Sequence, residues 1–90
     1  MKKHIIITGR VQGVGFRYWL YKTAVQNNIN GWVKNKISGE VEALLIGNDL
    51  EIDNLIKLCK MGPPSAKVAK LEVQNYKKEY SGKSFEIVST

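Results

Sequence analysis

Lys3-His4-Ile5-Ile6-Ile7-Thr8-Gly9-Arg10-Val11-Gln12-Gly13-Val14-Gly15-Phe16-Arg17-Tyr18-Trp19-Leu20, residues 3–20, changes character twice within eighteen positions. Lys3 to Thr8 carries an isoleucine run that reads as a buried strand. The next seven residues, Gly9 to Gly15, contain three glycines, which signals an unusual backbone path. From Phe16 the apolar period becomes helical, with Phe16, Trp19, Leu20, Thr23 and Ala24 on one stripe, until Asn27-Asn28 stops it. The reading is strand, glycine loop, helix.

Working outward, Asn30 to Lys36 and Glu40 to Ile46 alternate as two strands joined around Lys36-Ile37-Ser38-Gly39, a hairpin. Asn48, with Glu51 three residues on, resembles a capping box. Ile52, Leu55, Ile56 and Cys59 then share one helix face before Gly62-Pro63-Pro64. Ala69, Leu71 and Val73 alternate with Lys70, Glu72 and Gln74 in a further strand, and Phe85 with Ile87 marks a short last one. This order predicts an α+β fold: a ferredoxin-like βαββαβ sandwich with a mainly antiparallel sheet and a short extra C-terminal strand. Two helices cover one face of such a sheet, so the other face is expected to alternate polar residues such as Glu40, Glu42, Lys70, Glu72 and Gln74. Ninety residues, 43% apolar and 24% charged, suit one domain spanning residues 1–90. The longest apolar run is Ala43 to Ile46, far below the roughly 20 residues that cross a bilayer, so no membrane partner is expected. The single cysteine, Cys59, excludes an internal disulfide and fits a cytoplasmic location.

Charge is unevenly distributed. Residues 1–39 hold seven Lys or Arg (2, 3, 10, 17, 22, 34 and 36) and no acid, whereas the remainder has seven Lys against eight acids. Such asymmetry suggests an anionic partner near the first forty residues, either a nucleic acid or a small phosphorylated molecule. The only two arginines, Arg10 and Arg17, bracket the glycine loop, and arginine suits planar recognition of phosphate. A loop of this kind, running into a helix start, can present several backbone N–H groups to one anion, and Gly13 to Arg17 is the candidate cradle. Arg17 lies about 100° round the helix from Phe16, off the buried stripe. A cation there opposes the helix dipole unless an anion is present. Tyr18 replaces the third glycine of a dinucleotide fingerprint and no Gly-Lys-Ser/Thr follows, so NAD and ATP are disfavoured.

Few reactive groups are available. No cysteine lies in the loop, no acid precedes Glu40, His4 stands at the far end of the first strand, and Asp49 with Asp53 reads as a solvated helix edge, so neither a phosphoenzyme nor a metal centre is expected. Cations and backbone donors stabilise a transferring phosphoryl group but cannot protonate a poor leaving group. A carboxylate, whose parent acid has a pKa of about 4, leaves unaided; an acyl phosphate therefore fits this inventory. Asn35 shares a face with Val33, and its amide could orient a water or bond its own hairpin backbone.

Ile7-Thr8-Gly9-Arg10-Val11-Gln12-Gly13-Val14-Gly15-Phe16-Arg17 resembles the first acylphosphatase signature, and Gly31-Trp32-Val33-Lys34-Asn35 with Gly39, Val41 and Gly47 is similar to the second. Gly62-Pro63-Pro64-Ser65-Ala66 and Ser84-Phe85-Glu86-Ile87 also match the family, so the likeness spans essentially the whole chain. The resemblance implies a single acylphosphatase-like domain that hydrolyses small acyl phosphates to a carboxylate and inorganic phosphate, with no cofactor and no metal. It also implies that Arg17 binds the phosphoryl group, that the amides of Gly13, Val14, Gly15 and Phe16 cradle it, and that Asn35 positions the attacking water. Gly15 stands where many relatives carry a bulky residue, which bears on loop mobility. Val88-Ser89-Thr90 lacks the Arg-Tyr close of several members.

The alternative readings are a small RNA-binding module and a phosphate sensor. Glu40 to Ile46 offers no aromatic to stack a base and places Glu40 and Glu42 where a basic face is wanted, leaving Trp32 as the lone platform. Inorganic phosphate is expected as product and competitive inhibitor, nucleic acid is not expected as a partner, and the chain is expected to be a monomer. The acyl end of the substrate is not specified by a cradle that holds only phosphate.

Overall fold

The computed structural model describes residues 1–89; Thr90, the last residue of the divergent C-terminal close, lies outside the described residues. The elements are β1 (Lys2–Arg10), α1 (Phe16–Gln26), β2 (Asn30–Asn35), β3 (Val41–Ile46), α2 (Asp49–Cys59), β4 (Lys67–Asn75) and β5 (Phe85–Ile87). They form one sheet in the order β4-β1-β3-β2-β5. Neighbours run antiparallel except β2 and β5, which are parallel. This is the ferredoxin-like arrangement expected, with the extra strand beside β2. Among the described residues no helix is long and apolar enough to cross a membrane.

Period-2 burial on the strands and period-3.6 burial on the helices meet in one core. Ile5 and Ile7 of β1, Val33 of β2, and Val41, Ala43 and Leu45 of β3 pack with Phe16, Leu20 and Ala24 of α1 and with Ile52, Leu55, Ile56 and Cys59 of α2. Both helix ends follow local chemistry. Asn28 adopts the left-handed conformation (φ 57°) one residue past the C-cap of α1, and Asn48 Oδ1 accepts from the Glu51 amide at 2.9 Å at the start of α2. Each strand of the β2–β3 hairpin is one residue shorter at the turn than the alternation predicted, ending at Asn35 and resuming at Val41, although the Lys36 amide still donates to the Glu40 carbonyl at 2.8 Å.

Two expectations of facing need correction. In β4, Val68 packs against the core while Ala69 is exposed. The β1–β4 register shifts between Thr8 and Gly9, where Thr8 pairs Lys70 and Gly9 pairs Val68. The extra residue reverses the alternation, so Val68 and Leu71 face inward across a bulge. In β3, Leu44 is fully buried although it points away from the helices. It lies in the ladder between His4 and Trp32, which shield it from solvent on the face expected to be polar.

Gly31 fixes how closely β2 and β3 approach. Its φ is 133°, and a Cβ there would lie 1.8 Å from the Leu44 carbonyl oxygen. Neither backbone can move without breaking the ladder that holds Asn35. Gly31→Ala is expected to destabilise the protein by about 3 kcal/mol or more, read from urea unfolding, since strained φ and overpacking each cost about 1–3 kcal/mol.

Candidate active site

The site grows from the junction of β1 and α1. After β1 the chain must reverse over the sheet edge in five residues, and it does so through Gly13 (φ 73°) and Gly15 (φ 79°), left-handed positions that cost a glycine little. Nothing lies within 4 Å of a Cβ built on either, so conformation, and not crowding, selects glycine here. Gly15 is also the N-cap of α1; no side chain caps the helix and its first turn has no acid. The first amides of a helix have no partner within it. Where the Asn48 side chain caps the start of α2 and Asp49 and Glu51 add negative charge to its first turn, α1 presents its amides uncapped by any side chain.

Gly13, Gly15, Phe16 and Arg17 line one open cavity of about 250 Å³, and Asn35 lines it as well. Val11, Tyr18 and Ile87 complete the lining. Arg17 is half-buried, and among the described residues it forms no ion pair. Asn35 is the last residue of β2, and its Oδ1 is buried. Val33 on the same strand face is buried in the core, which puts Asn35 on the helix-side face of the sheet. The arrangement can grip an anion with a guanidinium, backbone amides and a helix N-terminus, with the Asn35 amide in the same cavity.

Two candidates fall outside this wall. Arg10, which brackets the loop in sequence, is exposed at the end of β1 opposite Lys67 and does not line the cavity. Val14 lies between the two lining glycines, but its side chain packs against the core. One residue with a clear structural task went unassigned at the sequence level. Gln12 Nε2 donates to the Lys36 carbonyl at 2.7 Å and to the Glu40 carbonyl at 2.9 Å, tying the loop to the neck of the hairpin beside Asn35. A polar amide directly before the first cradle glycine was the available signal.

Other reactive groups lie elsewhere. His4 bonds Glu42 at 2.6 Å on the helix-free face, where Glu42 also pairs Lys34 at 3.6 Å. Trp32, the base-stacking candidate, is met by the His4 ring edge-on and by Lys34 Nζ at 5.5 Å from its centroid. Asp49 and Asp53 are exposed on α2. Among the described residues no three His, Cys, Asp or Glu are grouped to hold a metal ion. Cys59 is fully buried, and desolvation pushes its thiol up from 9.0 to about 12.

The acylphosphatase family model matches residues 3–87. The chain belongs to the acylphosphatase family. An acylphosphatase of Rhodopseudomonas palustris (strain BisB5) is 39% identical over 93 residues, covering 98% of this chain and 94% of its own. The crystal structure of acylphosphatase from Bacillus subtilis superposes with a TM-score of 0.92 at 37% identity, covering 97% of each chain. An acylphosphatase structure from Coxiella burnetii gives 0.89 at 33% identity, over 97% of this chain and 90% of that one. Membership makes the chain a hydrolase of acyl phosphates.

Gln12→Ala leaves two carbonyls without their side-chain donor and is expected to cost about 1–3 kcal/mol of stability, measured by urea unfolding. Cys59 is expected to resist a thiol reagent in the native state and to react once urea unfolds the chain. Because its folded pKa is raised, the stability it contributes is complete below pH 9.0 and is lost as pH rises toward about 12. Across that window wild type should lose stability relative to Cys59→Ala, and parallel urea midpoints for the two would show that the thiol does not titrate as described.

Proposed function

We propose that the acyl phosphate binds with its phosphoryl group in the cradle of Gly13, Val14, Gly15 and Phe16 amides, clamped by the Arg17 guanidinium, and that Asn35 holds the attacking water. The observation that carries this reading is the meeting, in one cavity, of an uncapped helix N-terminus, Arg17 and Asn35. Amide and guanidinium donors neutralise charge on the equatorial phosphoryl oxygens. Water attacks phosphorus in line with the carboxylate, the P–O bond to the acyl group breaks, and a phosphate oxygen of the substrate takes the proton from the water. The leaving carboxylate needs no acid, which agrees with a cavity whose described lining residues include no carboxylic acid, histidine or thiol. Hydrolysis proceeds without metal, cofactor or covalent intermediate. Inorganic phosphate, which fits the same donors, is a competitive inhibitor.

In this reading the chain works as one domain over residues 1–90, as a monomer, in the cytoplasm. The buried free thiol of Cys59 is consistent with a reducing compartment. The face that an RNA-binding module would use carries Glu42 at its centre, already paired with His4 and Lys34, which supports a small-molecule substrate over a nucleic acid.

The test is hydrolysis of benzoyl phosphate in excess chelator. Turnover is expected to persist, with inorganic phosphate competing. Arg17→Ala is expected to lower kcat/KM by roughly 10²–10³ or more, the scale of a single lost transition-state donor, and Arg17→Lys to rescue poorly because an ammonium cannot reproduce the fork. Asn35→Ala should lower kcat while leaving the phosphate inhibition constant nearly unchanged. Turnover by Arg17→Ala at the wild-type rate, or loss of phosphate affinity in step with kcat in Asn35→Ala, would overturn the respective assignments.

A further inference from the structure

The cavity is larger than a phosphoryl group requires. About 250 Å³ corresponds to roughly eight waters at about 30 Å³ each, and one phosphate fills only part of that. The cradle supplies the polar part of the lining, whereas Tyr18 and Ile87 supply apolar surface to the same cavity and remain 61% and 43% exposed. Neither belongs to the core cluster nor is packed against it, so the part of each side chain that faces the cavity is not used to fill the core. Both are nevertheless held in place. The Tyr18 ring stacks on Tyr21, with centroids 6.4 Å apart and planes 23° from parallel, and Lys22 Nζ lies 5.5 Å from its centroid. Ile87 is fixed by the parallel pairing of β5 with Val33, reinforced by the Val88 amide donating to the Val33 carbonyl at 2.9 Å.

An anion site alone has no use for two immobilised apolar groups in its lining. A substrate with a charged phosphoryl end and a flat apolar end would use both halves. We propose that Tyr18 and Ile87 form the acyl subsite and that the enzyme prefers aromatic or similarly broad apolar acyl phosphates to short ones. The proposal rests on reading the cavity as the acyl phosphate site. It commits to the Tyr18–Ile87 side. Ile37, 97% exposed at the hairpin tip, lies in a separate hollow on the other side of Asn35 and is absent from this cavity.

Unhydrolysable phosphonates test the subsite apart from turnover. Calorimetric titration should show benzylphosphonate binding about tenfold more tightly than methylphosphonate, the scale of an aromatic contact with some added apolar burial. Tyr18→Ser and Ile87→Ser should each bring that ratio toward one while leaving methylphosphonate affinity unchanged, which also certifies an intact cradle. Tyr18→Phe, which keeps the ring, and Ile37→Ser, which alters the other hollow, should preserve the ratio. Equal affinity of wild type for the two phosphonates would overturn the proposal, and so would a preference that survives both serine variants or vanishes in Ile37→Ser. A wild type that discriminates as described but fails to hydrolyse benzoyl phosphate would refute the catalytic reading and leave the subsite standing.

Discussion

A helix that starts inside a protein must satisfy its first amides somehow, and in this chain the two helices solve the problem in opposite ways. Asn48 and the acids beside it close the start of α2 with local groups. At α1 the sequence supplies Gly15, which has no side chain to offer, followed by a first turn without an acid. The first amides of α1 therefore have no side-chain cap beside the cavity that Gly15, Phe16 and Arg17 line, and Arg17 adds a cation where the dipole already favours negative charge. The surroundings preserve that arrangement. Gly13 and Gly15 give the loop its path, Gln12 ties it to the hairpin, and Gly31 lets β2, which ends in Asn35, lie close to β3.

Acidic side chains are kept away from this positive site. Glu40 accepts from Ser38 Oγ at 2.6 Å and pairs Lys36 at 3.8 Å, while Glu42 is held by His4 and Lys34 on the helix-free face. These two are the earliest acids in the sequence, and neither lines the cavity. Among the described residues the wall of this cavity holds Arg17 and no carboxylate side chain, so its field favours an anion over a neutral ligand.

Most of the fold could be read from periodicity, because strand and helix patterns here are strong and the glycine loop separates them cleanly. The four buried positions of α2, Ile52, Leu55, Ile56 and Cys59, follow directly from helical spacing. What periodicity missed depends on pairing. The bulge opposite Gly9 puts Val68 inward in place of Ala69, and a bulge is set by the partner strand, not by the strand that contains it. Leu44 sits in an unbroken apolar run, Ala43 to Ile46, where alternation gives no direction. At the site, Arg17 and Asn35 line one cavity, while Arg10, close to the loop in sequence, does not. Gln12 bonds main-chain carbonyls, which carry no side-chain signature, and Tyr18 and Ile87 line one cavity only because β5 returns beside β2.

The same bulge bears on a different property of the molecule. At nine residues β4 is as long as β1 and forms one edge of the sheet, while the opposite edge, β5, is only three residues long. An extended free edge invites strand-by-strand growth into fibrils. Here that edge is irregular at Gly9, carries exposed Lys67 and Lys70, and has a Lys70–Glu72 ion pair of 3.0 Å on its surface. A second copy would meet a kinked, charged template at one side and almost none at the other, so the sheet ends at edges poorly suited to aggregation.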